Sequence, residues 1–287
     1  MATYKNWLTT NVSDRDSTRA ADLQVYLQKI DEWDLSLNFK RASDITAYKI
    51  YSLGLDLYVG LSGGLDSEYV AKTFLNCGIP FKTVIVDTPG NQLELSYAYH
   101  FCRKYNIEPI ILKKTEADML TCYYRDIMGR LCGYGYNSVA TYMVGKYADE
   151  MGGIYVMGEH LIDDQDDGSI LIGANEWDFY NDALIGVHNT HYFFDYTPEI
   201  VYSMVKSIDC NDAQEFKTKL YDLPFRPKLK YQYSQAYEIA LKQLRREKWI
   251  KHKPNFSFGK PEDFLETMRS EERRVGKECR SRWSPYH

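Results

Sequence analysis

Leu61-Ser62-Gly63-Gly64-Leu65-Asp66-Ser67 is the stretch that decides how this chain is read. An apolar run, Leu55 to Leu61, comes before it, and a segment with helical character, Glu68 to Asn76, comes after. The predicted setting is strand, tight polar loop, helix. Two glycines let the backbone turn sharply and approach a ligand closely. Amides at the start of the following helix point out of the loop with a partial positive charge. Ser62 and Ser67 add hydroxyl donors. A carboxylate at Asp66 repels a bare phosphate, but it fits if Mg²⁺ lies between the two. The loop therefore reads as a cradle for a magnesium–polyphosphate group, with Ser62, Gly63, Gly64, Leu65, Asp66 and Ser67 as the binding set. The competing reading is a Gly-Gly turn between strand and helix with chance serines.

The loop lacks the Gly-Lys-Ser/Thr ending of a Walker A motif. It resembles the SGGxDS signature of the PP-loop ATP pyrophosphatases. That resemblance implies a loop that grips the outer two phosphates of ATP while a substrate oxygen attacks the α-phosphate. Pyrophosphate then leaves, and an adenylated intermediate passes to a nucleophile. The implied cofactors are ATP and Mg²⁺, and the implied fold is a HUP-like parallel α/β sheet with helices on both faces. The resemblance spans roughly Leu55 to Asp167 and thins out beyond it.

The flanking pattern supports the same fold class. After the loop helix comes Phe81 to Val86, a β-branched run ending at Asp87, then a helix over Gln92 to Tyr105 and a strand over Pro109 to Leu112. Thr115 to Leu131 and Asn137 to Met151 read as helices, and Ile154 to Met157 as the next strand. Alternation of this kind predicts a parallel sheet covered by helices. Ligands of such sheets bind at the C-terminal ends of the strands. The loop and Asp87 both fall there, so Asp87 is a candidate for contacting adenosine or magnesium, against a plain strand-end turn residue. Asn91-Gln92-Leu93-Glu94 also bears a weak similarity to the asparagine-synthetase branch.

A second acidic stretch follows Met157: Gly158-Glu-His-Leu-Ile-Asp-Asp-Gln-Asp-Asp167. Four aspartates in five residues repel one another unless they are solvated or hold a cation. The run resembles the second acidic motif of PP-loop enzymes, with its Asp-Asp-Gln close to that of tRNA lysidine synthetases. Glu159 and an extra residue before Asp163 depart from that pattern. The expectation is that Asp163 or Asp164 joins Asp66 in holding Mg²⁺ and pyrophosphate, the alternative being a solvated acidic loop. Further on, the prolines of Leu223-Pro-Phe-Arg-Pro-Lys-Leu-Lys230 hold the chain extended. Arg226, Lys228 and Lys230 could offer a cation to the departing pyrophosphate, with Lys228 the named candidate, or they could form an ordinary basic loop.

The 287 residues divide as follows. Residues 1–50 are a helical lead-in, with Leu23, Tyr26, Leu27, Ile30 and Trp33 as the stripe of a helix capped by Ser17 and a second helix capped by Asp44. Residues 51–170 are the core, and 171–268 an aromatic and helical part that completes the site. Its aromatic stretches read as a hairpin or a lid over the nucleotide site, with strand favoured around His188 and His191. Residues Arg269 to His287 back-translate to a common sequencing-library adapter, so they are expected to be non-native. That tail holds six of the 35 Lys/Arg and three of the 40 Asp/Glu, so the net charge moves from −5 to −8 without it. An acidic chain disfavours a large nucleic-acid footprint. Five cysteines remain outside the tail with no C-x-x-C, which suits buried thiols better than a metal site. No apolar run approaches a membrane span and no leader is apparent, so a cytoplasmic protein with no membrane partner is expected.

Within the class, amidation of a carboxylate in the manner of asparagine synthetase comes first. A tRNA-modifying ligase of lysidine or thiolation type comes second, and a nucleotide-binding sensor that does not turn over is the third reading. The acceptor is then a small molecule or tRNA. No cysteine follows Met1 directly, so ammonia or sulfur would come from a separate donor protein.

Overall fold

The computed structural model describes residues 8–12, 23–27, 34–127, 137–158, 161–164, 169–173, 189–210, 212–226, 234–235 and 257–269. At its centre is a five-stranded sheet in which every neighbouring pair is parallel. Its strands are β3 (Leu57–Gly60), β4 (Lys82–Asp87), β5 (Ile110–Lys113), β6 (Ile154–Met157) and β9 (Thr190–Tyr192), in the order β5-β4-β3-β6-β9. From β3 the chain steps outward to β4 and β5. It then returns to the other side of β3 to lay down β6 and β9. The boundary between β3 and β6 is thus where the strand order reverses, the place where open α/β sheets form a ligand crevice.

Side chains alternate strictly across this sheet, as a strand's two-residue period requires. Leu57, Val59, Ile85, Ile154 and Val156 enter one core. Tyr58, Val84, Val86, Tyr155, Met157 and Tyr192 enter the other. The first core is covered by α1 (Phe39–Tyr51), α2 (Leu65–Asn76), α3 (Gln92–Lys104) and α6 (Pro198–Lys206). The second is covered by α4 (Glu116–Cys122) and α5 (Asn137–Glu150). The expected parallel sheet with helices on both faces is therefore present.

Short polar signals set the helix starts. Thr115 caps α4 through a reciprocal pair of bonds with Asp118. Thr197 caps α6 by accepting from the Ile200 amide, and its hydroxyl also meets Thr46 of α1 at 2.9 Å. α7 (Ala213–Tyr221) begins at Asp212, whose carboxylate accepts from the Glu215 amide at 2.7 Å. A smaller antiparallel sheet joins β7 (Leu161–Asp164), β8 (Ile170–Gly173) and β10 (Ser257–Phe258), followed by a helix over 261–269.

Three expectations need correction. Residues 23–27 form no helix: β1 (Leu8–Val12) and β2 (Leu23–Leu27) pair antiparallel, Leu8 opposite Leu27. Leu23, Val25 and Leu27 also satisfy a two-residue period, and β-branched Val25 with Tyr26 favours a strand. Ser17 lies outside the described residues. α1 is capped by Asn38, which accepts from the Arg41 amide, and Asp44 sits inside the helix. Thr190–Tyr192 is strand, as the residues around His191 favour, but it joins the main sheet as its fifth strand, where the sequence suggests a hairpin or a lid. The helix expected over Ser234 to Lys248 lies almost wholly outside the described residues.

Among the described residues, Cys77, Cys102, Cys122 and Cys210 are free thiols. Burial pushes those of Cys77 and Cys122 up to about 11, as inert packing thiols require. No helix among the described residues is long and apolar enough to cross a membrane.

Candidate nucleotide site

The Ser62–Ser67 loop leaves the C-terminal end of β3, the central strand, and runs directly into α2 at Leu65. Four hydroxyl-mediated bonds shape it. The Ser62 amide donates to Ser67 Oγ at 3.2 Å and the Gly64 amide to Ser62 Oγ at 3.2 Å. Ser67 Oγ donates to the Gly64 carbonyl at 3.1 Å, and the two hydroxyls lie 3.1 Å apart. Ser67 is buried and stitches the loop, whereas Ser62 is exposed. Gly63 takes a φ of +94°, which an L-residue rarely adopts, and a Cβ there would run into the Glu94 carbonyl. Gly158, at the end of β6, lies so close to α2 that a Cβ would sit 2.8 Å from the Ser67 amide nitrogen.

A cavity of about 260 Å³ opens at the point where the strand order reverses. The loop residues Ser62, Gly64, Asp66 and Ser67 line it, together with Val84 and Val86 of β4, Tyr155 and Met157 of β6, and Ala140, Thr141 and Val144 of α5. The loop side of the lining carries Ser62, Asp66 and Ser67, and the β4, β6 and α5 side is mostly apolar. That combination suits a ligand with an anionic end and a flat, apolar one.

Two carboxylates stand in the first turn of α2, and each has a cation from the segment that follows α6. Lys217 Nζ lies 2.6 Å from Asp66 Oδ2, and the Tyr221 hydroxyl donates to Asp66 Oδ1 at 2.7 Å. Lys217 and Tyr221 are four apart on α7, so one helix face presents both. Tyr221 is fully buried; burial and the neighbouring Asp66 charge hold its phenol well above its ordinary value, so it remains a donor. Arg226 Nη2 lies 2.6 Å from Glu68 Oε2, and Nη1 donates to the Gly63 carbonyl at 3.2 Å. The guanidinium also lies over the Tyr97 ring, 4.5 Å from its centre.

The sequence candidates are distributed as follows. Ser62, Gly64, Asp66 and Ser67 line the cavity. Asp87 ends β4 but is not among the lining residues: its carboxylate accepts from Gln92 Nε2 at 2.6 Å and Tyr99 Oη at 3.2 Å. Asn91 lines the cavity and ties its own loop, donating to the Val86 carbonyl and accepting from the Thr88 amide. Asp163 and Asp164 lie on β7, opposite Leu171 and Ile170 of β8, so part of the acidic stretch is strand. His160 and Lys228 lie outside the described residues. Lys230 lies outside them too, and Arg226, the described cation of the Leu223–Lys230 segment, reaches the loop.

Both Asp66 oxygens accept from protein donors, Oδ2 from Lys217 and Oδ1 from Tyr221. Among the described residues, no group of three or more His, Cys, Asp or Glu could hold a metal ion. The sequence reading passed over Lys217, Tyr221 and the α5 wall. Lys217 carries no motif that would mark it, being one of two lysines on an amphipathic helix.

No protein-family model matches the sequence, and no curated protein matches it. Among solved structures, the chain is similar to the U34-tRNA thiolase NcsA from Methanococcus maripaludis, at 12% identity and a TM-score of 0.41 over 83% of this chain and 80% of that one. It is also similar to the NH3-dependent NAD synthetase from Campylobacter jejuni, at 15% identity and 0.35 over 89% and 99%. A glutamine-dependent NAD+ synthetase from Acinetobacter baumannii matches at 15% and 0.35 over 49% of this chain and 31% of that one. Likenesses of this size carry no argument about activity, which rests on the loop, the cavity and the residues around them.

Proposed function

We propose that this chain is an ATP pyrophosphatase that activates its substrate as an adenylate. The observation that carries the reading is the Ser-Gly-Gly-Leu-Asp-Ser loop at the end of the central parallel strand, opening onto a cavity with one polar and one apolar part. Loop amides and the α2 N-terminus suit the outer phosphates, and Val84, Val86, Val144 and Met157 suit the nucleoside. A substrate oxygen attacks the α-phosphorus, the bond to the bridging oxygen breaks, and pyrophosphate leaves with the electron pair. An amine, ammonia or sulfur nucleophile then displaces AMP. The chain's part is to bind, orient and balance charge, and no protein nucleophile is required.

Among acceptors, amidation of a carboxylate is the first choice, because an acidic chain, net −8 without the tail, suits a small molecule better than tRNA. Magnesium enters as the partner of ATP in solution, with Asp163 and Asp164 the remaining candidates from the sequence. The test is exchange of labelled pyrophosphate into ATP, over separate pools of carboxylates and bulk tRNA. Exchange that depends on one carboxylate pool supports the reading. Exchange only with tRNA moves the acceptor to the second choice. ATP binding without exchange under any pool leaves a sensor.

A further inference from the structure

We infer that Asp66 is the seat of a lysine and not of a metal ion: it holds the Lys217 ammonium at the loop for the outer phosphates of a nucleotide. The inference rests on the nucleotide reading above. Three observations carry it.

The first is that both oxygens of the carboxylate are engaged by the protein. Its two oxygens accept from two groups on one face of α7, Lys217 at 2.6 Å and Tyr221 at 2.7 Å. The second is rigidity. The Tyr221 ring is fully buried, stacked 4.6 Å from Tyr69 and 5.4 Å from Phe194, so its hydroxyl cannot follow Asp66 elsewhere. The Lys217 and Asp66 side chains are only 17% and 25% exposed, which screens their attraction less than at an open surface. The third is charge. Asp66 and Glu68 in the first turn of α2 would oppose an incoming anion at that helix end. Lys217 and Arg226, both from the segment after α6, offset them one for one. Lys217 is not itself among the residues lining the cavity, but Asp66 is. An ammonium has three donors and the bond to Asp66 uses one, so the same group can bridge to a phosphate beside Asp66.

Asp66 is then a positioning residue, and the phosphate contact belongs to Lys217. This predicts nucleotide affinity that depends on Lys217 whether or not magnesium is present, and a strong coupling between the two positions. The experiment is calorimetric titration of the full chain with β,γ-imido-ATP, once in EDTA and once in Mg²⁺. The variants are Lys217→Met, Lys217→Arg, Asp66→Asn and the double variant Asp66→Asn/Lys217→Met. Circular dichroism checks the fold of each. Asp66→Asn preserves a carbonyl acceptor and the side-chain shape, so the test survives if Lys217→Met fails to fold.

The expected result is a loss of roughly ten- to a hundredfold in affinity for Lys217→Met in both buffers, the size of a charge-assisted bond. Lys217→Arg recovers part of it. Asp66→Asn also weakens binding in both buffers, and the double variant binds no worse than Lys217→Met alone. The inference is overturned if Asp66→Asn loses affinity only in Mg²⁺ while Lys217→Met binds as tightly as wild type. Asp66 would then be a metal ligand with Lys217 its resting partner. Wild-type protein that binds no analogue in either buffer would instead remove the nucleotide reading itself.

Discussion

Gly63 and Gly64 are adjacent and serve different ends. At Gly63 the φ of +94° and the facing Glu94 carbonyl exclude a side chain. At Gly64 the backbone is ordinary extended, φ −74°, and a Cβ would lie 3.4 Å from Ser62 Oγ, a contact the structure can absorb. Gly63→Ala should therefore destabilise the fold by at least about 1–3 kcal/mol. Gly64→Ala should leave the melting temperature within a few degrees and still weaken nucleotide binding, because its Cβ stands at the cavity. Thermal melts beside nucleotide titrations check both.

Tyr69 and Tyr221 give a pH signature. Burial pushes the Tyr69 phenol up to about 12, above its ordinary 10, and that of Tyr221 well above 10. Below pH 10 both phenols are protonated in folded and unfolded chain alike, so stability is insensitive to them. Between pH 10 and about 12 the unfolded chain ionises them first, and each removes about 1.4 kcal/mol per pH unit. Denaturant melts at pH 9, 10 and 11 should show stability falling only over the last interval. Tyr69→Phe should reduce that fall. The sequence revealed the loop residues because glycine and serine at fixed spacing have a direct backbone meaning. Tyr69, Tyr221 and Lys217 have none until α2 and α7 are brought together.

The helix that matters most to the site is α7, and its start depends on Asp212. The Asp212 carboxylate accepts from the Glu215 amide, and Asp212→Ala should cost about 1 kcal/mol, with Asp212→Asn close to neutral. Because the same helix presents Lys217 and Tyr221 to Asp66, Asp212→Ala should also weaken nucleotide binding several-fold. Parallel melts and titrations would show the two effects moving together. This helix and its cap were legible in the sequence, as were α4, α5 and the strands β3 to β6. β2 was not, nor was the place of β9 in the main sheet. Leu23–Leu27 fits both a helical and an alternating period over so short a span, and pairing with β1 settles it. Thr190–Tyr192 is only three residues, too short for a period, and joins the main sheet because β6 offers it an open edge.

The molecule as a whole is a parallel sheet whose strand order reverses beside β3, and this places the loop, Gly158 and the α5 wall around one cavity. The class of fold was legible because β-α alternation leaves few alternatives. The docking of α7 was not, because it joins parts of the chain more than a hundred residues apart. The most direct measurement is the product split of α-labelled ATP incubated with the full chain, Mg²⁺ and the acceptor pool that supports exchange. Labelled AMP, formed with one equivalent of pyrophosphate and lost in Gly64→Ala, is the predicted result. Labelled ADP with phosphate would contradict it.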